Sequence, residues 1–182
     1  MTFLMTLAFV LGFSQPPASS APQVPPVNVT KPTVAGVTNF SKLESTIACA
    51  GATTAAAMPE LKKLGYNSII NLREASEQGA NVDNAAAAAK TAGINYVHLP
   101  MNGRTPDPAV ADRFLKAIVE PANQPVFVHC GSGNRAAAMW MIKRMVIDGW
   151  DADKAGVEAT ALGLTNPTLK QFAIDYAAKN KK

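Results

Sequence analysis

The stretch 125–136, Pro-Val-Phe-Val-His-Cys-Gly-Ser-Gly-Asn-Arg-Ala, contains the residues best suited to chemistry. Its apolar residues 126–128 predict a short buried strand, and the breaker-free run 136–147 predicts a helix. A glycine-containing loop between a strand and a helix directs several backbone N–H groups to one point, where the helix N-terminus adds partial positive charge. We therefore predict an anion-binding cradle formed by Gly131, Ser132, Gly133 and Asn134.

Cys130 and Arg135 lie at the two ends of this cradle. The helix dipole and a nearby guanidinium favour the thiolate, which is the nucleophilic form of Cys130. The planar guanidinium of Arg135 suits an oxyanion. His129 is predicted either to orient Cys130 or to be a core histidine. The alternative for the whole motif is a small buried cysteine followed by an ordinary strand-to-helix turn.

Strands and helices alternate along the chain, which predicts an α/β fold with a mostly parallel sheet covered on both faces. Ligands of such sheets bind at the carboxyl ends of the strands. We therefore expect the ends of three strands to meet, at 71–73, 98–100 and 129–130. Strands are predicted in 40–50 and at 68–73, 94–100 and 126–128, and helices at 55–64, 78–92, 109–119, 136–147, 152–162 and 167–178.

The 182 residues, 48% of them hydrophobic, are enough for one ordinary core. An apolar run at 3–13, too short to span a membrane, is followed by small residues, which is typical of a secretory signal peptide. The predicted organisation is a signal peptide at 1–21, a proline-rich linker at 22–33, a domain at 34–178 and a basic tail at 179–182. The protein is expected to be exported to the periplasm or secreted.

The net charge of +4 includes three lysines at the C-terminal end, so it does not indicate a nucleic-acid partner. No stable membrane insertion is expected. The two histidines lack metal-ligand spacing, so neither a metal nor another cofactor is predicted. Cys49 is predicted to be a core residue; the alternatives are a resolving thiol or a disulfide with Cys130. The predicted cradle makes a small oxyanion the expected partner.

The order His129-Cys130 followed by Arg135 resembles the signature of the Cys-based phosphatases, whose loop has five residues between Cys and Arg. Four residues lie between them here, the loop length of rhodanese sulfurtransferases. The run 61–73, Leu-Lys-Lys-Leu-Gly-Tyr-Asn-Ser-Ile-Ile-Asn-Leu-Arg, resembles dual-specificity phosphatases, and 96–101 resembles their next strand. From 40 to 150 the chain resembles the bacterial phosphatase-like family called beta-lactamase-hydrolase-like, which implies a three-layer Cys-based phosphatase fold.

The resemblance also implies a general acid in the loop after the His-Leu-Pro strand. Asp107 is the only carboxylate of that loop, 101–108, but an Asp before Pro108 is equally typical of a helix N-cap. Arg73 is predicted either to support the site or to pair with Glu74 or Glu77.

The function that the resemblance implies is a phosphatase-like hydrolase acting through a cysteinyl-phosphate, with Cys130, Arg135 and Asp107 as catalytic residues. The substrate that it implies is a phosphate ester, either a small one or one carried by a phosphoprotein. The alternatives are a sulfurtransferase acting through a Cys130 persulfide, which the loop length favours, and a non-enzymatic anion-binding module.

Overall fold

A computed structural model describes residues 27–43 and 47–180. These ranges contain six strands, six α-helices and short 3-10 turns at Ala55–Ala57 and Pro121–Asn123. The strands are β1 (Val29–Thr30), β2 (Ser41–Leu43), β3 (Ile47–Ala50), β4 (Ser68–Asn71), β5 (Asn95–His98) and β6 (Val126–His129). The helices are α1 (Met58–Lys63), α2 (Val82–Thr91), α3 (Pro108–Val119), α4 (Asn134–Val146), α5 (Ala152–Ala161) and α6 (Pro167–Asn180).

The six strands form one sheet in the order β1-β2-β3-β6-β4-β5. Strand β2 is antiparallel to both of its neighbours, β1 and β3, whereas β3, β6, β4 and β5 are parallel. In the register of the parallel strands, His129 lies opposite both Ala50 and Asn71, and Asn71 lies opposite His98. The carboxyl ends of all four parallel strands therefore reach one edge of the sheet, which confirms the predicted meeting of strand ends.

Helices cover both faces of the sheet because the central strand β6 is apolar on both sides. Phe127 packs with Phe40 and Tyr66 in the cluster that includes α1 and α2, whereas Val126 and Val128 belong to the cluster that includes α3 to α6. The rings of Phe40 and Phe127 stack with centroids 6.0 Å apart. Burying each such side chain contributes about 1.5–3 kcal/mol. The predicted three-layer α/β fold is confirmed.

Helix α2 begins later than the pattern predicted, at Val82 instead of Gln78. The reason is that the Arg73 guanidinium donates hydrogen bonds to the carbonyl oxygens of Gln78 and Gly79, at 2.6 and 2.9 Å. A carbonyl that accepts a hydrogen bond from Arg73 does not need the backbone N–H that a helical turn would supply. Residues 74–81 are consequently a loop at the carboxyl end of β4, where they form part of the site described below.

The sheet also begins earlier than predicted, since β1 lies within the stretch 22–33 that was expected to be a linker. Val29 pairs with Leu43 and Thr30 with Lys42. At the other end, α6 continues to Asn180, into the predicted tail. The predicted signal peptide, 1–21, lies outside the described residues. Among the residues that are described, no helix is long and apolar enough to cross a membrane.

Candidate active site

The predicted strand, loop and helix are present, with β6 ending at His129 and α4 beginning at Asn134. The backbone N–H of Gly133 donates a hydrogen bond to Cys130 Sγ at 3.1 Å. Gly133 has φ +101°, a conformation that residues with a Cβ rarely adopt, and this turns its N–H toward the sulfur. A backbone donor and the N-terminus of α4 are thus both directed at Sγ.

The loop is held in place by backbone bonds to the neighbouring strand β3 and the turn beyond it. Cys130 N–H donates to the Ala50 carbonyl at 3.2 Å, and the Gly131 carbonyl accepts from Ala52 N–H at 3.0 Å. The Asn39 amide donates to the Ser132 carbonyl at 3.0 Å. These hydrogen bonds fix the conformation of the loop independently of a ligand, as a preorganised anion site requires.

Arg135 lies in the first turn of α4, and its guanidinium reaches back over the loop. Nη1 donates to the carbonyl oxygens of Leu72 and Met101, at 3.0 and 2.7 Å, and to Glu77 Oε1 at 2.6 Å. Nη2 donates to Glu77 Oε2 at 2.8 Å. These bonds connect α4 to the segments that follow β4 and β5. Arg135 is therefore fixed at the edge where the strands end, as predicted.

Glu77 also bonds beyond Arg135. Its Oε1 accepts from Glu74 N–H at 2.8 Å, and its Oε2 accepts from Arg73 Nε at 3.2 Å. Burial alone would raise the pKa of Glu77, but the bonds from Arg135, Glu74 N–H and Arg73 outweigh it and lower this pKa to about 2. Burial would likewise lower the pKa of Arg135, yet the Glu77 hydrogen bond and the negative charge of Cys130 raise it. Both partners stay charged.

The Glu77–Arg135 pair lies directly over the start of the loop. A Cβ added at Gly131 would lie 3.3 Å from Glu77 Oε2 and 3.4 Å from Arg135 Nη2. Cys130 beneath has no exposed surface. A side chain at 131 would therefore press on this pair, which would have to shift by a few tenths of an ångström.

His129 is buried beside Cys130, with 1% of its surface exposed. Neither ring nitrogen has a hydrogen-bond partner among the described residues, and the ring packs against Phe127 with centroids 5.8 Å apart. Burial, with the positive charge of Arg73 as a second cause, lowers the pKa of His129 to about 3. The ring is therefore neutral near pH 7. Its burial agrees with the second of the two predicted roles, a core histidine.

Cys49 is a fully buried residue of β3 in the same core cluster as Cys130, and both thiols are free. Burial raises the pKa of Cys49, and a negative charge on Cys130 raises it further. Cys49 therefore stays a neutral thiol, in agreement with the predicted core residue.

Asp107 is exposed and is the N-cap of α3, where its Oδ1 accepts from Ala109 N–H at 2.9 Å. This is the capping geometry that Asp followed by Pro108 predicted as the alternative to the acid role. Asp107 is not among the residues that line the cleft beside the loop. The structure thus brings together Cys130 and Arg135, and Asp107, which caps α3, stays a predicted acid.

Asn134 shapes the cleft through a neighbouring loop. Its Oδ1 accepts from the backbone N–H groups of Thr165 and Asn166, at 2.7 and 2.8 Å, and its Nδ2 donates to Ser132 Oγ at 3.3 Å. One amide side chain therefore connects the cradle to the loop between α5 and α6. Through this connection Asn166 becomes part of the cleft wall.

The cleft has a volume of about 410 Å³ and is mostly polar. Its wall consists of Glu74, Glu77, Asn102, Gly103, Arg104, Ser132, Asn134, Arg135, Asn166 and Leu169. Sequence reasoning had not assigned Glu74, Asn102 or Asn166 to the site. Glu74 and Glu77 were named only as partners of Arg73, although their position just after a strand end could have suggested more. Within the described ranges, no group of three His, Cys, Asp or Glu side chains could hold a metal ion.

Solved structures with the same fold support this description. A crystal structure from Shewanella putrefaciens CN-32, provisionally described as a DUF442 phosphatase, has TM-score 0.68 and 21% identity, covering 81% of this chain and 96% of that one. The core catalytic domain of the PP-IP phosphatase Siw14 from S. cerevisiae, in complex with citrate, has TM-score 0.63 and 21% identity over 78% and 87%. P. aeruginosa TpbA in complex with phosphotyrosine has TM-score 0.58 and 17% identity over 86% and 90%.

The sequence comparisons concern a narrower family. A beta-lactamase hydrolase-like protein of Agrobacterium fabrum is 32% identical over 103 residues, 56% of this chain and 24% of that protein. One of Xylella fastidiosa is 40% identical over 87 residues, 47% and 20%. The matched region therefore spans only a quarter or less of these relatives. The family model of the phosphatase-like domain of beta-lactamase hydrolase-like proteins matches residues 39–146, more than half of the chain, and the chain belongs to that family.

Proposed function

We propose that this protein is a cysteine-dependent phosphatase that hydrolyses phosphate monoesters through a cysteinyl-phosphate. The observation that carries the proposal is the 3.1 Å bond from Gly133 N–H to Cys130 Sγ at the N-terminus of α4, beneath the Arg135 guanidinium. A nucleophilic sulfur, a helix N-terminus and a bidentate cation then converge on one point. Phosphoryl transfer depends mostly on positioning and on stabilising charge on the oxygens, which these groups supply.

In the proposed reaction the Cys130 thiolate attacks phosphorus, an S–P bond forms, and the bond to the ester oxygen breaks. Backbone N–H groups of residues 131–135 and the guanidinium of Arg135 bind the phosphoryl oxygens. Water then attacks phosphorus, the S–P bond breaks, and phosphate leaves with the thiolate restored. Because Cys130 has no exposed surface beneath the Glu77–Arg135 pair, that pair has to move away from Gly131 as the phosphoryl group enters.

Phosphate esters are the proposed substrates because the cleft is polar and positively charged at Arg135. Phosphotyrosine in TpbA and citrate in Siw14 support an oxyanion ligand for this fold. A phosphoprotein or a small phosphate ester would meet Asn102, Asn166 and Arg104 on the cleft wall. Amide groups and a cation are suited to binding further oxygen atoms of such a substrate.

A sulfurtransferase is the second candidate, and the loop length is the observation that favours it. Four residues separate Cys130 from Arg135, so the loop offers fewer donors for three phosphoryl oxygens than a longer loop would. In this reaction the thiolate takes the sulfane sulfur of thiosulfate as the S–S bond breaks and sulfite leaves. Cyanide then removes that sulfur from the Cys130 persulfide as thiocyanate.

One experiment distinguishes the two reactions. The purified protein is incubated with p-nitrophenyl phosphate, and separately with thiosulfate plus cyanide. We expect phosphate release, which Cys130→Ser abolishes because a hydroxyl is a far poorer nucleophile at neutral pH. Cys49→Ala is the matched control, since it changes the other buried cysteine and should retain turnover. Thiocyanate production without phosphate release would favour the sulfurtransferase over the phosphatase. If neither product formed, the non-enzymatic anion-binding module would be the remaining hypothesis.

A further inference from the structure

Hydrolysis of an ester with a poor leaving group needs a proton donor in the cleft, and two of its wall residues are carboxylic acids, Glu74 and Glu77. Asp107, the acid implied by the family resemblance, caps α3 and is not among the residues that line the cleft. The question of which group protonates the leaving oxygen therefore concerns two glutamates that lie three residues apart on the loop after β4.

Glu77 is unsuitable as a proton donor. Both of its oxygens are bound to Arg135, at 2.6 and 2.8 Å, and the same oxygens accept from Glu74 N–H and Arg73 Nε. These bonds keep the carboxylate ionised, with a pKa of about 2. A group that is deprotonated at every working pH and bound by two guanidinium groups cannot donate a proton to an ester oxygen.

The backbone of Glu74 is joined to the ion pair that contains Arg135. Its N–H donates to Glu77 Oε1 at 2.8 Å, and the same oxygen accepts from Arg135. The Glu74 side chain is half-buried on the cleft wall. In the described part of the chain no ion pair engages it, in contrast to Glu77.

Asn102 contacts the Glu74 side chain. Its Nδ2 group donates to the two Glu74 oxygens in long contacts, at 3.4 and 3.5 Å. Asn102 is itself oriented, because its Oδ1 accepts from the N–H groups of Arg104 and Thr105, at 2.9 and 3.1 Å. Glu74 and Asn102 both line the cleft that Arg135 also lines.

We propose that Glu74 is the general acid and base of the phosphatase reaction, oriented by Asn102. The Glu74 carboxyl gives its proton to the leaving oxygen as the P–O bond breaks and the S–P bond to Cys130 forms. The resulting Glu74 carboxylate takes a proton from the water that attacks the cysteinyl-phosphate, and the S–P bond then breaks. This role rests on the proposed function, since it assigns the proton transfers of that reaction.

The test compares two substrates with different leaving groups. Glu74→Gln should lower kcat for phenyl phosphate by about 100-fold, the usual contribution of a general acid, and kcat for p-nitrophenyl phosphate much less, because nitrophenolate leaves without protonation. The fall of kcat on the alkaline side of the pH profile should disappear with phenyl phosphate. Glu60→Gln, an exposed glutamate of α1, is the matched control and should change neither substrate.

Asp107→Asn tests the rival acid, since Asn caps a helix as well as Asp does. A loss specific to phenyl phosphate in Asp107→Asn, or equal losses on both substrates in Glu74→Gln, would overturn the role of Glu74. Unchanged kcat in Glu74→Gln would do the same. Failure of the proposed function looks different, because wild-type protein would then release no phosphate from either substrate.

Discussion

Glu77 binds both terminal nitrogens of Arg135, at 2.6 and 2.8 Å, although 58 residues separate the two in the chain. The guanidinium that is proposed to bind a phosphoryl group is thus already occupied by a carboxylate. The same carboxylate lies over Gly131, above the buried Cys130. Glu77 therefore holds the arginine in place and is at the same time an internal anion with which a substrate has to compete.

Removal of that internal anion should strengthen anion binding. In Glu77→Ala we expect the Kd of inorganic phosphate to fall by about 10-fold, because one negative charge leaves the site and the Arg135 fork becomes free. Isothermal titration calorimetry measures this directly. Glu60→Ala, an exposed carboxylate paired with Lys63, is the control and should leave the Kd unchanged. Weaker phosphate binding in Glu77→Ala would mean that positioning of Arg135 outweighs the competition.

The Glu77–Arg135 pair should also make stability depend on acid pH. The folded-state pKa of Glu77 is about 2, below the unfolded value of 4.5, so its contribution is complete above pH 4.5 and is lost as the pH falls toward 2. Discounted for partial exposure, this amounts to about 1–2 kcal/mol of unfolding free energy. Urea unfolding at pH 5 and pH 3 should show a smaller difference in Glu77→Gln than in wild type. Equal differences would contradict the lowered pKa.

His129 should also make the unfolding free energy depend on pH, but in a higher pH range than Glu77 does. Its folded-state pKa is about 3 and its unfolded value 6.5, so the unfolded chain binds the proton more readily and stability falls as the pH drops below 6.5. From pH 7.5 to 5.5 we expect a loss of about 1.4 kcal/mol in wild type. In His129→Gln this loss should disappear, as measured by urea unfolding at the two pH values. The same loss in both proteins would show that folding does not lower the pKa of His129.

Gly133 should be required for activity more than for stability. An alanine there is strained by about 1 kcal/mol because φ is +101°, and relaxation of that strain would turn the N–H away from Cys130 Sγ. We expect kcat/KM for p-nitrophenyl phosphate to fall by about 10-fold or more. Gly149→Ala is the matched control, since Gly149 has φ +71°, open space around its Cβ and a position beyond the far end of α4. We expect both variants to lose a similar amount of thermal stability. Only Gly133→Ala is expected to lose activity.

The sequence alone determined the elements whose signals are local. Residues 126–147 combine an apolar strand, a glycine loop and a breaker-free helix, and each of these depends on neighbours within a few positions. The strand ends at Asn71, His98 and His129 were predicted to meet because the parallel order of an α/β sheet requires it. The N-cap role of Asp107 could also be predicted, because its capping hydrogen bond involves a residue only two positions away.

Only the tertiary structure decided which charged groups complete the site. Arg73 donates hydrogen bonds to the carbonyls of Gln78 and Gly79, which lie in the predicted helix but form a loop in the structure. In this loop Glu77 contacts Arg135, and Glu74 contacts Asn102. No sequence spacing specifies these contacts, because each depends on how strands and loops distant in the chain pack at one edge of the sheet. The same packing buries His129 without hydrogen-bond partners, and burial, a property of the whole fold, is what keeps its ring neutral.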